Sequence, residues 1–164
     1  MSSGTSTALG VGVKNHHRCW VPADGKTFLI GGWIIKPFPL EHDASEPWGF
    51  IVFNVDENER LLFIPDTAYV KNRFDRVTVI SIECNHISDI LHDKIISGAL
   101  PAAVGHRVRR NHMSLDTVIE MLKSNDLSKC REIWLLHLSD GNSHEARMIR
   151  AVQEATGIPC RAAQ

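Results

Sequence analysis

Apolar residues fall along this chain in two rhythms. Up to residue 82 they come as short runs rich in β-branched and aromatic side chains, broken by Gly, Pro and Asp. Residues 27–30 and 33–38 predict two short strands hinged at Gly31 and Gly32, with Pro37 and Pro39 ending the second. Residues 48–55 (WGFIVFNV) and 60–64 (RLLFI), separated by the polar turn 56–59, predict a β-hairpin. Residues 77–82 (VTVISI) form an apolar run without alternation, the pattern of a strand buried on both faces.

Beyond this point the period lengthens. Residues 87–100 predict a helix that stops near Gly98 or Pro101. Ser114 has the chemistry of an N-cap, because Leu115, Val118, Ile119 and Leu122 follow it at helical spacing. Residues 133–138 (IWLLHL) predict another buried strand, residues 140–143 a turn, and residues 145–155 a helix with Met148, Ile149 and Val152 on one face. Gly157, Ile158 and Pro159 stop that helix. The first 25 residues are weakly patterned, with a short helix expected over 5–11 and a turn at Asp24-Gly25. Strands come first and strand–helix units second. The expectation is one α/β (α+β) domain over residues 1–164, a mixed sheet with helices on its outer face.

Composition narrows the function classes. With 164 residues the chain can bury a real core. A net charge of −1 gives no general electrostatic footprint for nucleic acid. Arg107, Arg109 and Arg110 make one small basic patch, the basis of a nucleic-acid-binding alternative. Cys19, Cys84, Cys130 and Cys160 form no C-x-x-C pair, which argues against zinc-ribbon and thioredoxin-type sites and for free thiols in a reducing compartment. No run reaches the length of a membrane span, and residues 2–7 do not read as a signal peptide, so the expected location is cytoplasmic.

Nine histidines in 164 residues are the feature that composition leaves unexplained. In layered α/β proteins chemistry gathers on the loops that leave buried strands. Here several predicted strand ends carry titratable groups: His42 and Asp43 after 33–38, Asp66 after 60–64, Glu83 and His86 after 77–82, and His137 at the close of 133–136. His112 precedes the helix capped by Ser114. Imidazoles and carboxylates are the donors that Zn²⁺ or Mn²⁺ hydrolases use. Taken singly, a strand-end Asp is usually a cap or turn residue, and a His in an apolar strand is usually a satisfied core residue.

The local sequences favour the metal reading. Residues 37–50 (PFPLEHDASEPWGF) resemble the third-motif segment of metallo-β-lactamase-fold hydrolases. Pro65-Asp66-Thr67-Ala68 is similar to that family's TDTG segment, Glu83-Cys84-Asn85-His86 to EANHD, Asn111-His112-Met113-Ser114 to GHLS, and Leu136-His137-Leu138-Ser139 with Asn142 to HLS-x-x-N. Order and spacing agree over about residues 5–163. The resemblance is to small bacterial and phage hydrolases related to DNA exonucleases and, more distantly, to tRNA 3′-processing endonucleases. It implies the C-terminal half of an αββα sandwich and a dinuclear site holding two Zn²⁺ or Mn²⁺ ions. Within that site His42 would bind the first metal, Asp66 would bridge both, and His137 would bind the second. His112, held by Glu83, would give a proton to the leaving oxygen, the carboxylate fixing its tautomer and raising its pKa. The implied substrates are phosphodiesters or nucleic acids. Asn111, Ile87 and Ala68 replace the family's Gly, Asp and Gly.

The resemblance also implies an H-x-H-x-D-H segment that this sequence lacks. His16-His17 is the N-terminal histidine cluster, its spacing is wrong, and its charged neighbours Lys14 and Arg18 favour an exposed turn. On this pattern the chain is a partial domain that starts mid-fold, and each ion keeps too few protein ligands for tight binding. Three expectations follow. The isolated chain binds metal weakly or not at all. An uncovered apolar face drives association, as a homodimer or with a separately encoded N-terminal half. The competing function is a catalytically inactive fold remnant or interaction module.

Overall fold

The computed structural model describes residues 26–163. The expected helix over 5–11, the turn at Asp24-Gly25, His16-His17 and Cys19 lie outside the described residues. One mixed sheet holds seven strands in sequential order: β1 (Phe28–Ile30), β2 (Trp33–Pro39), β3 (Trp48–Asn54), β4 (Glu59–Ile64), β5 (Val79–Glu83), β6 (Glu132–Leu136) and β7 (Cys160–Ala162). β1 to β4 form an antiparallel meander, and β5, β6 and β7 then add in parallel to β4. The helices are α1 (Ser88–Ile96), α2 (Ala102–Asn111), α3 (Leu115–Lys123) and α4 (Glu145–Thr156).

Topology sets which face the helices cover. α1 to α3 link β5 to β6, and α4 links β6 to β7, each time one step in the same direction. Right-handed crossovers that advance the same way lie on the same face. The burial pattern agrees. Along one register row Leu62, Ile80 and Ile133 are buried, and along the next Ile64, Ile82 and Leu135. They share a core with Val118, Met121 and Leu122 of α3 and Met148 and Val152 of α4. On the opposite face Phe50, Phe63, Ser81 and Trp134 are adjacent in register and only half-buried. So β5 is not buried on both faces, as its apolar run predicts. Val79 and Ser81 stay partly open while Ile80 and Ile82 are covered.

Local chemistry explains most element ends. Gly31 takes φ +57° in the β1–β2 turn, a conformation that costs a glycine little. The Ser114 hydroxyl accepts from Thr117 N at 3.2 Å and caps α3, and Gly157 closes α4 at φ +71°. Pro37 does not end β2, which runs through it and stops at Pro39. β1 pairs β2 only as far as Ile35, so the prolines sit where β2 is an edge and need offer no N–H to a further strand. Two elements are absent from the hydrophobic pattern, α2 and β7. α2 has Val104 and Val108 as its main apolar residues and carries Gly105, onto which Ile95 of α1 packs so closely that a Cβ would collide with it. β7 is three residues long, directly after Pro159. Cys84 and Cys160 are buried free thiols, and Cys130 is a half-buried one.

Candidate metal centre

β2 and β4 are both antiparallel to β3, and β5 and β6 are parallel to β4, so these four strands end at one edge of the sheet. That edge receives His42 after β2, Asp66 after β4, Glu83 at the end of β5 and His137 after β6. His112 joins them from the α2–α3 junction. Ligand atoms of Asp66, Glu83, His112 and His137 all lie within 4.8 Å of one another. His42 stands beside this group, its ring 5.3 Å from that of His112, which is in turn 5.0 Å from that of His137. The residues assigned from sequence thus share one site, with His42 at its rim and not among the mutually close donors. Together with Asp43, Val104, Arg107, Val108 and Asn111, all but the buried Glu83 line a cleft of about 290 Å³. A larger cavity of about 470 Å³ lies over β2–β4, where the paired Arg60 and Asp75 replace any cluster of His and carboxylates.

Glu83 is the hub. It is fully buried, and its Oε1 accepts from Thr67 N at 2.5 Å and Met113 N at 3.1 Å. Oε2 lies 2.9 Å from His112 Nδ1 and 3.5 Å from His137 Nδ1. Burial pushes the Glu83 carboxyl up to about 8, against the two backbone N–H groups that favour its charged form. The imidazole of His112 moves opposite to the expectation from sequence. Burial, together with the nearby His137, lowers its pKa, and Asp66 only partly offsets this. The Glu83 contact therefore orients the ring without making it a stronger base.

Asp66 and His137, assigned to metal from the sequence, are half-exposed where the hub is not. Asp66 Oδ1 lies 2.7 Å from His137 Nδ1 with both side chains nearly half open to solvent. His137 has φ +54°, unusual for a non-glycine residue. Asn85, itself buried, donates from Nδ2 to the His137 carbonyl at 3.1 Å and holds this turn.

Thr67 and Asn85 sit within the motif segments, but sequence reading gave them no role. Thr67 is fully buried. Its hydroxyl accepts from Glu41 N at 3.0 Å and donates to Tyr69 O at 2.9 Å, and Ala68 N donates to Glu41 O at 2.7 Å. This ties the loop bearing His42 to the loop bearing Asp66. Asp43 ties the same loop to α2: Arg107 Nε donates to its Oδ2 at 3.2 Å with Nη2 in an ion pair at 3.0 Å, and Asn111 Nδ2 donates at 2.8 Å. His86 does not join the donors. It is buried, its Nδ1 has no partner, and burial with the nearby Arg109 charge holds its pKa down at about 4.

No family model and no curated protein matches the sequence significantly. Solved structures do match. The metallo-β-lactamase-fold protein YhfI from Bacillus subtilis aligns with TM-score 0.66 at 10% identity, over 99% of this chain and 60% of its own. This chain has a metallo-β-lactamase fold. A diphosphatase of the PhnP family aligns with TM-score 0.60 at 13% identity over 99% of this chain and 53% of its own. CmlA, a diiron β-hydroxylase from Streptomyces venezuelae, aligns with TM-score 0.51 at 15% identity over 87% of this chain and 33% of its own. The chain thus spans about three-fifths of YhfI and about half of the diphosphatase. Among the described residues no helix is long and apolar enough to cross a membrane.

Proposed function

We propose that this chain carries the bridging half of a metal-dependent hydrolase site that acts on phosphodiesters. The observation behind this reading is the gathering of Asp66, Glu83, His112 and His137 donors within 4.8 Å at one sheet edge. The donor set fits a Zn²⁺ or Mn²⁺ ion: imidazole and carboxylate groups, two of them half-exposed. Asp66 and His137 would hold metal, with His42 at the rim for a second ion. Bound there, the metal would polarise a phosphoryl oxygen and supply hydroxide at neutral pH. Glu83 is saturated by two backbone N–H groups and His112, which suits it to hold His112 and not an ion. His112 then presents its other ring nitrogen towards the cleft, in position to exchange a proton with a leaving oxygen.

The same ligand count favours a second reading. Each ion would have fewer than three protein ligands from the described residues, against three in ordinary catalytic zinc sites. A chain of this kind works only with further ligands supplied by another segment or polypeptide, or serves as an inactive interaction module. The half-buried row Phe50, Phe63 and Trp134, on the face that no described helix covers, supports association with a partner, a second copy or a separate N-terminal half. Elemental analysis of the purified chain after dialysis against trace zinc and manganese separates the readings. Stoichiometric metal that disappears in Asp66→Ala and His137→Ala supports the hydrolase site. Metal-free protein that light scattering shows to be dimeric supports the module.

A further inference from the structure

The cavity of about 470 Å³ over β2, β3 and β4 lies away from the metal centre. Register sets Ile34, Phe53 and Arg60 side by side, and Lys36 and Ile51 beside Leu62, which enters the helix-covered core. The cavity is therefore on the same sheet face as the helices, yet no residue of a described helix lines it. Its far wall is the loop over residues 72–75, and that wall is fixed at two points. Phe74 is buried, its ring centroid 4.9 Å from that of Phe38, and its N–H donates to Asn125 Oδ1 at 2.7 Å. Arg60 Nη1 donates to Asp75 O at 2.8 Å and to Asp75 Oδ1 at 3.2 Å, with its guanidinium carbon 5.7 Å from the centroid of the Phe53 ring.

The lining divides into an apolar floor and a cationic rim. Ile34, Ile51 and Phe53 are half-buried, with the buried Phe38 and Phe74 beside them. Arg60 is committed to Asp75, the one carboxylate of the lining. Lys36 on β2 and Arg73 on the loop are exposed and form no ion pair among the described residues. A neighbouring hollow of about 380 Å³ shares Phe53 and Arg60, adds Arg76 and Lys129, and has no carboxylate in its lining. A chain of net charge −1 thus gathers uncompensated cations around an apolar floor. Ligand cavities of this kind hold an apolar body and orient it through a few polar groups. The occupant that complements this one carries a negative charge on a hydrocarbon chain. Residues 1–25, which run up to the cavity, carry Lys14 and Arg18 against Asp24 and do not match its charge. We propose that the cavity is a binding site for a medium-chain carboxylate. The chain lies on Ile34, Ile51 and Phe53, and the carboxylate meets Lys36 and the planar guanidinium fork of Arg73. None of these residues belongs to the metal centre.

Four probes with related tails test this: octanoate, hexanoate, octanol and octylammonium, titrated into the full-length chain while amide and indole resonances are followed. Octanoate shifts the amides of Ile34, Phe53 and Arg73, and octylammonium does not. Octanoate binds about tenfold more tightly than octanol, the scale of two exposed charge contacts. Hexanoate binds about tenfold more weakly than octanoate, because each buried methylene is worth about three- to fourfold. Lys36→Glu and Arg73→Glu change exposed side chains and leave folding intact. Each weakens octanoate by about tenfold, an attraction becoming a repulsion, and leaves octanol unchanged. The indoles of Trp33, Trp48 and Trp134 lie on the opposite sheet face and report binding there. The proposal is overturned if octanoate fails to bind, or if octanol or octylammonium matches it. It is also overturned if octanoate shifts the three indoles in place of the groove amides, or if both charge reversals leave its affinity unchanged.

Discussion

Thr67 offers a test of how the site is held together that touches no proposed ligand. Thr67→Val keeps the shape of a fully buried side chain, so no cavity opens, and the Thr67 N–H still serves Glu83. What disappears is the hydroxyl, which accepts from Glu41 N and donates to Tyr69 O. Glu41 N and Tyr69 O lose their partner in one substitution, and Tyr69 N loses a longer contact at 3.4 Å. A typical net hydrogen bond is worth about 1 kcal/mol, and an abandoned buried group costs about 1–3 kcal/mol. Glu41 lies on an exposed loop where water can replace part of the loss, so the expected cost is about 2 kcal/mol. Thr67→Ser, which keeps the hydroxyl, should lose about 1 kcal/mol or less. Urea denaturation monitored by tryptophan fluorescence measures both. The valine variant should also bind zinc or cobalt more weakly than the serine variant, because the loop carrying His42 is freed. A valine variant within about 0.5 kcal/mol of the parent, with unchanged metal affinity, would show that the tie holds nothing.

Three further outcomes are expected. His137→Gly should be about 1 kcal/mol more stable than His137→Ala in denaturant titrations, since both lose the imidazole but only glycine relaxes at φ +54°; equal stabilities would refute the strain. Gly49→Ala should destabilise by about 1–3 kcal/mol, because a Cβ there would collide with the Phe38 ring across the β2–β3 pair, and Phe38→Leu in the same chain should recover part of it. His86, held at about 4 against an ordinary 6.5, should make the fold acid-sensitive. Its folded pKa is depressed, so below pH 6.5 the unfolded chain takes up a proton that the folded chain refuses. Stability present above that pH is lost as pH falls towards 4, by about 3 kcal/mol. His86→Phe should flatten that part of the stability–pH curve, and parallel curves for the two proteins would refute the assignment.

Much of this architecture is legible in the sequence because hydrophobic period and turn chemistry are local. Ser114, Gly157 and the hairpin over residues 48–64 act within a few residues of themselves, and the structure places each as expected. The misreadings are non-local. Pro37 is a strand breaker only if a strand lies on both sides of β2, and β1 is too short to reach it. The run 77–82 looks buried on both faces because β-branched residues fill either face, while the helices cover only one. α2 is invisible to periodicity because its packing surface is a glycine and its other face is a cleft wall. Glu83 and His112 lie 29 positions apart, and nothing local reveals that Oε2 meets Nδ1 at 2.9 Å. That pairing follows from the return of the chain through α2, where Asn85 N donates to Met113 O and His86 bridges Ser114 beside the end of β5.

The same separation of local and non-local terms bears on which residues the site can lose. The ties between its loops run through groups that are not proposed to touch metal: Thr67 to Glu41, Glu83 to the Thr67 and Met113 amides, Asn85 to the His137 carbonyl. All three tying side chains are buried, whereas Asp66 and His137 are nearly half open. Removing a buried polar group strands its partners, and removing an exposed one lets water take its place. Ligand and tie should therefore respond in opposite ways. Asp66→Ala should abolish metal uptake at little cost in stability, while Thr67→Val and Asn85→Leu should cost stability first and metal affinity only as a consequence. Asp66 Oδ1 and His137 Nδ1 lie 2.7 Å apart, while the buried groups fix the loops that carry them.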